Sequence, residues 1–452
     1  MKNSLPLLSL IAAATLSACS STPNPVHVER TQLQQDISYL ASDDLKGRKS
    51  FSPEIDIAAD YIAQRFEAIG LQPIPGNNQF KQQFSLFSVT PTEVSVVLNN
   101  RPVKAEQLAV ASQSAGFAWQ QASTVNITRI TADMDLRATL RRLNHQGGNQ
   151  LVLVDPAHQE LFTRYQNYFA AGLTKLKLKD EGAMVLVLDH SDEVTELAVN
   201  VKNDIKEQQL TNVVGVLPGK SDTKNKEIVL FSAHYDHLGQ QLNDDHSHEN
   251  SDGDEQDTIY NGANDNASGT GAMVNLAQHY AHLADNERTL MFAAFTAEEM
   301  GLIGSKHFAT TQNPDHITAM INIEMIGKPS PFGAGNLWMT GADKSDLQMV
   351  LNQSLPEVNH IQANPYPKLN LFYRSDNASL ASMGVPAHSF SSTDMENNAH
   401  YHTPKDELAN LDFDSIYQSV TLLAKASAPL ASAELTPSRV APLKDQNEGK
   451  IY

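Results

Sequence analysis

The chain has 452 residues, more than one ordinary domain uses, and its 52 acidic against 33 basic residues leave a net charge of -19. That balance argues against nucleic acid and anionic lipid surfaces as partners, because both need a basic face. One cysteine leaves no intramolecular disulfide, and no stretch beyond the N-terminus has the apolar length of a membrane span.

Residues 1–18 carry Lys2, then an apolar run through Leu5, Leu7, Leu8, Leu10 and Ile11, too short to span a bilayer as a mature helix and so read as an export signal. Leu16-Ser17-Ala18-Cys19 resembles the bacterial lipobox, which makes Cys19 the expected lipidation site and Ser-Ser-Thr-Pro-Asn-Pro the start of a tether over 19–30. The implied location is the bacterial cell envelope, on the outer membrane at its periplasmic or surface side. The N-terminal lipid is the only membrane contact.

From 31 to 89 the pattern is helical, notably over Ile55–Phe66, where apolar residues recur at three and four and Gly70 supplies a stop. Between 90 and 211 short β-like runs such as Val94–Leu98, Leu151–Val154 and Ala183–Leu188 replace it, without a cluster of ligand-type residues. This part reads as an inserted, smaller α+β or β domain. Over 212–432 strands predicted at 213–217, 228–232, 289–296 and 319–326 alternate with helices at 268–283 and 301–311. Strands near 336–340 and 387–391 then precede a closing helix over 413–430. The alternation predicts an α/β fold, a mixed twisted sheet with helices on both faces, whose ligands gather at the C-terminal ends of strands. The polar end, 433–452, holds two prolines and reads as a flexible tail.

The chemistry-bearing residues fall at those strand ends. The run from Met291 ends in adjacent carboxylates, Glu298 and Glu299; neighbours at a strand end point in different directions, so one can bind a metal while the other serves as general base. His234 follows the strand at 228–232, and Asp236 lies two residues on, close enough to accept the imidazole's other proton; His237 reads as a bystander. Asp265 is the one carboxylate in Asn261–Gly269, and a carboxylate can bridge two cations through its two oxygens. Glu324 sits in an apolar run, where a charge needs a partner, and His402 stands shortly before the last helix. Two histidines and three carboxylates suit a pair of zinc ions about 3.5–4 Å apart. The stretch 241–258, with seven acids and two histidines, reads as a solvated loop beside them.

His-Tyr-Asp-His, Gly-Ala-Asn-Asp-Asn-Ala-Ser-Gly, Phe-Thr-Ala-Glu-Glu-Met-Gly-Leu-Ile-Gly-Ser, Asn-Ile-Glu-Met-Ile-Gly and Tyr-His-Thr-Pro-Lys-Asp resemble, in order and spacing, the motifs of metallopeptidase family 28, the co-catalytic zinc aminopeptidases. The resemblance covers about 212 to 430, and Leu45-Lys46-Gly47-Arg48 is similar to the family's N-terminal segment. It implies that Asp265 bridges two zinc ions, that His234 and Glu324 complete one site, and that Glu299 and His402 complete the other. Glu298 is then the general base and Asp236 the supporting carboxylate. The insert stands where some members carry a protease-associated domain. Glu324 and Asn264 occupy positions where the family usually or often has aspartate, and Ser375-Asp376-Asn377 stands for the family's Ser-Asp-His.

The implied activity is a zinc-dependent exopeptidase, an aminopeptidase acting on peptide substrates. The alternatives are a glutaminyl-cyclase-like acyltransferase with one zinc, a carboxypeptidase or dipeptidase of the same fold, and a catalytically inactive binding lipoprotein. Retention of both His234 and His402 argues against the first, and five metal-competent positions argue against the last.

Overall fold

A computed structural model describes residues 25–121, 124–189, 193–241, 257–442 and 450–452. The export signal, Cys19 and most of the acidic 241–258 stretch lie outside the described residues.

The principal strands are β1 (Lys81–Leu98), β2 (Leu197–Leu217), β3 (Ile228–His234), β4 (Thr289–Phe295), β5 (Ile317–Ile323), β6 (Trp338–Met339), β7 (Gln362–Ala363) and β8 (Ala387–Ser391). Their spatial order is β7-β6-β8-β5-β3-β4-β2-β1. The centre is parallel, β4 and β5 flanking β3 and β8 following β5, whereas β1, β2 and β6 enter antiparallel. The mixed α/β sheet is therefore the one the alternation of elements predicts.

Nearly continuous apolar runs in β3, β4 and β5 are explained by burial on both faces. Phe231, Phe292 and Ile321 point to one side, into a core with Ile37, Phe66, Leu276, Tyr280 and Val420. Their neighbours Leu230, Met291 and Met320 point to the other, against Phe308 and Leu380. The helix Pro53–Ile69 starts where Ser52 Oγ accepts from the Ile55 amide and Pro53 presets the first turn. It stops at Gly70, whose φ of +89° suits a residue without Cβ. The last helix, Phe413–Ala431, is capped by the Asp412 carboxylate, which accepts from Ser415 N at 2.9 Å.

Two boundaries differ from the sequence reading. The helical N-terminal part ends earlier than 89, because β1 begins at Lys81, and β2 crosses 212 without a break. Instead β1 and β2 run antiparallel from the main sheet into the insert, bending where Asn203 faces Pro91 and the register shifts. Beyond the bend stand the four strands Leu108–Ser112, Ala183–Leu188, Gln150–Val154 and Asn126–Ile130, in that order, with the helices Leu136–Gln146 and Gln159–Ala170. This part has apolar clusters of its own. Continuous strand pairing hides such a boundary from composition.

The flexible tail expected over 433–452 is also corrected at its end, where an aliphatic and an aromatic residue gain from burial. Ile451 is fully buried with Leu140, Leu143 and Phe169, and the Tyr452 ring meets Phe169 at 4.9 Å. Asn144 Oδ1 accepts from the amides of Ile451 and Tyr452 at 2.7 and 2.9 Å, and Lys175 Nζ donates to the Ile451 carbonyl at 2.8 Å. Ile451→Ala is expected to cost about 2–4 kcal/mol, the scale of truncating a buried aliphatic side chain. Amide exchange should speed up in Leu136–Gln146 and stay unchanged in Gly269–Leu283; equal acceleration in both helices would contradict this assignment.

Candidate metal centre

The site forms where the parallel strands end. His234 is the last residue of β3 and pairs in register with Phe295, the last of β4, so the turn carrying Glu298 and Glu299 rises beside it. Glu324 stands one residue beyond β5, not inside the strand as its apolar surroundings suggest, although its amide still donates to Phe390 O at 2.9 Å. Asp265 comes from the loop leading into Gly269–Leu283, and His402 from the turn before the last helix. All five expected ligands are brought together.

Two triangles share Asp265. His234 Nε2 lies 3.2 Å from Asp265 Oδ1 and 3.3 Å from Glu324 Oε2. His402 Nε2 lies 3.2 Å from Asp265 Oδ2 and 3.3 Å from Glu299 Oε2. Ligand atoms at the corners of a zinc tetrahedron, each about 2.0–2.1 Å from the ion, stand about 3.3 Å apart. His234 Nδ1 donates to the Asp236 carbonyl at 3.1 Å, which leaves Nε2 as the atom facing the two carboxylate oxygens. Among the described residues His402 Nε2 has no hydrogen-bond partner of acceptable geometry. Two imidazoles and three carboxylates converging at ligand spacing on a shared carboxylate fit a pair of cations, and a set of nitrogen and oxygen ligands fits zinc.

The titration of these groups reflects the same crowding. Burial alone would lower the His234 pKa, but Glu324 and Glu298 override it and hold it well above the ordinary value. His402 is raised to about 10: burial opposes the shift, and the contacts with Asp265 and Glu299 outweigh it. Burial and Asp265 push Glu299 up, yet bonding from His237 and His402 leaves it lowered overall. Glu298 is raised well above a normal carboxylate, first by burial and then by Glu324, Asp376 and Glu299 against the opposing His234.

The side chains that hold the ligands from behind were largely missed by sequence reasoning. Asp406 accepts from the amides of Asn264 and Asp265, both at 2.9 Å, and so grips the bridging loop. Ser375 Oγ and Asn322 Nδ2 donate to Glu324 Oε1 at 2.5 and 3.0 Å, leaving Oε2 for His234. Buried Arg48 reaches the carbonyls of Tyr235 and Asn261 at 2.8 and 2.7 Å, tying the N-terminal motif to two ligand loops. Asp236 takes a different part from the one expected: its carboxylate is 3.7 Å from His234 Nδ1 and accepts instead from the Glu298 amide at 3.0 Å. Asp236 thus orients His234 through its backbone and Glu298 through its side chain. The available signals were polar residues close in sequence to a ligand, namely Asp406 after His402 and Asn322 before Glu324.

The centre opens into a cleft of ≈440 Å³ walled by Met325, Trp338, Leu371 and Met395, with Arg374 and Tyr401 at its polar side. The Tyr401 ring stacks on His402 at 3.8 Å, and its hydroxyl pKa is pushed up by burial and by Asp265 and Glu299.

Residues 212–427 match the model of peptidase family M28. This part of the chain belongs to that family. The M28 unit accounts for the site, since the five ligand positions and Glu298 all lie within the match. Aminopeptidase YwaD of Bacillus subtilis is 25% identical over 246 residues, 52% of this chain and 47% of that protein. Aminopeptidase Y of Saccharomyces cerevisiae is 25% identical over 194 residues, 38% of this chain and 34% of that protein. The chain spans about half the length, or less, of these curated relatives. Among solved structures, an aminopeptidase from Aneurinibacillus sp. strain AM-1 shares the fold with a TM-score of 0.51 at 20% identity, covering 92% of this chain and 96% of the other. A zinc aminopeptidase from Bacillus subtilis gives 0.52 at 16% identity, with 91% and 97% covered.

Because both histidine pKa values are raised, each imidazole carries a proton at neutral pH when no cation is present, and a binding cation must displace it. Metal affinity should therefore rise with pH. Calorimetry in buffers of different ionisation enthalpy should show about two protons released per pair of ions. Binding without proton release would contradict the assignment of His234 and His402 as ligands.

Proposed function

We propose that the chain is a zinc-dependent exopeptidase, an aminopeptidase that releases N-terminal residues from peptides. The observation that carries this reading is Asp265, whose two oxygens face two separate histidine–carboxylate pairs. His234, Asp265 and Glu324 would hold one zinc ion, and Asp265, Glu299 and His402 the other. Such a pair would lower the pKa of a shared water and polarise the scissile carbonyl.

Glu298 faces the same cleft, and its raised proton affinity suits a base that takes a proton from the attacking water and returns it to the leaving amine. Asp236 fixes the backbone from which Glu298 projects. A substrate's free α-amino group would bind one of the two cations through its lone pair, which makes N-terminal cleavage the natural outcome. The walls of Met325, Trp338, Leu371 and Met395 suit an apolar side chain on the residue released. The names of the relatives support the same reading.

The test is a panel of blocked and free peptides. A peptide with a free N-terminus should be shortened one residue at a time, its N-acetylated copy should resist, and a chelator should stop the reaction until zinc is restored. A Gln-initiated peptide should lose its glutamine rather than cyclise. Glu298→Gln should keep both zinc ions and slow turnover by at least ~10²-fold, the scale of lost general-base catalysis. An unchanged rate on acetylation, or cyclisation as the sole product, would overturn the aminopeptidase reading.

The proposed setting is the cell envelope, with the chain exported and anchored through a lipid on Cys19. Leu16-Ser17-Ala18-Cys19 and the apolar run before it support this. The protein should partition with membranes, and Cys19→Ser should leave it unprocessed or release it; a wild type found wholly in the soluble fraction would count against anchoring.

A further inference from the structure

We propose that His237 is a positioning residue for the second metal site, fixing which oxygen of Glu299 faces Asp265 and His402. The inference rests on the two-metal reading above. The His237 ring is fully buried, and its Nδ1 lies 2.7 Å from Glu299 Oε1 while Glu299 Oε2 faces His402 at 3.3 Å. The difference between these distances decides the role. Two ligands of one tetrahedral zinc stand about 3.3 Å apart, whereas 2.7 Å is the length of a charge-assisted hydrogen bond. A carboxylate can only accept, so Nδ1 donates.

A glutamate side chain swings freely about several bonds, and its two oxygens are interchangeable until something distinguishes them. The imidazole removes that freedom because it cannot itself move. Its backbone amide donates to Arg48 O at 3.2 Å, and the His402 ring meets it edge to face at 5.7 Å. On the remaining side it packs against Gly262, where a Cβ would stand 2.5 Å from His237 Cδ2, a space only glycine leaves open. Asp236 therefore serves the base, Glu298, and His237 serves the neighbouring ligand, Glu299, from the same short segment.

The experiment is chelator competition on the full chain, which reads the two stepwise zinc affinities and the stoichiometry. His237→Leu fills the space without a donor and should weaken one of the two affinities by about 10–100-fold, the usual effect of losing a group that orients a metal ligand, while the other stays unchanged. His237→Asn places an N–H near the position of Nδ1 and should recover most of the loss. The inference is overturned if His237→Leu leaves both affinities unchanged. It is equally overturned if both fall together with the melting temperature, or if His237→Asn is as damaging as His237→Leu, as it would be were the ring itself a ligand. Glu299→Ala separates this from the parent reading: if that variant still binds two zinc ions, the assignment of Glu299 as a zinc ligand fails and not merely the role of His237.

Discussion

The structure depends on keeping four carboxylates, Asp265, Glu298, Glu299 and Glu324, in one largely buried place. Like charges at this spacing repel, and burial removes the water that would screen them, so each carboxylate needs a donor or a cation. The donors come from parts of the chain far apart in sequence. Ser375 and Asn322 serve Glu324, His237 serves Glu299, and Asp406 holds the backbone beneath Asp265. What they leave unsatisfied is one oxygen on Glu324, one on Glu299 and both on Asp265, all facing imidazole nitrogens. The polar network thus satisfies the outer oxygens of Glu324 and Glu299 and leaves their inner oxygens, with both of Asp265, facing the imidazoles.

The sheet makes this convergence possible. Parallel strands place their C-terminal ends on one edge, and β5, β3 and β4 are immediate neighbours there, which brings Glu324, His234 and the Glu298–Glu299 turn within reach of one another. Helices on both faces bury the strands and keep those ends in register. Arg48 adds a tie from outside the sheet, joining the His234 loop to the Asp265 loop through their carbonyls. An N-terminal segment that contributes no ligand is in this way part of the site's frame.

The α/β sheet and the five residues that converge at its strand ends were legible because both are written in short range: strand and helix periods over a few residues, and charged or imidazole side chains standing at the ends of apolar runs. The partners behind the ligands were not legible, since Ser375 and Glu324, or Asp406 and Asp265, meet only after the sheet has formed. Asp236 shows the same limit at two residues' distance. Its spacing from His234 was read correctly as close, but the turn after β3 presents the carbonyl to the imidazole and the carboxylate to Glu298. His237, one residue further, was passed over because a histidine beside a ligand histidine carries no signal until its neighbour Glu299 is placed. The insert's boundary was hidden for another reason. β1 and β2 cross it as single strands, so no change of period marks it.

The two positions that depart from the family's usual residues become intelligible in these terms. Asn264 is not part of either triangle; its Oδ1 accepts from the Gly327 amide at 2.7 Å and its Nδ2 donates to Thr393 Oγ1 at 3.0 Å, so it joins the bridging loop to the segments after β5 and β8. An amide can donate and accept at once, which a carboxylate cannot, and a further charge there would add to the repulsion already present. Glu324 is one methylene longer than aspartate, yet its Oε2 reaches His234 Nε2 at 3.3 Å, the same separation found at the second site. The extra length is taken up because β5 ends at Ile323, so Glu324 starts beyond the strand, and because Ser375 and Asn322 hold the far oxygen. The same spacing is thereby reached with a longer side chain whose far oxygen is held twice, and the serine standing beside Asp376 supplies the shorter of those two bonds.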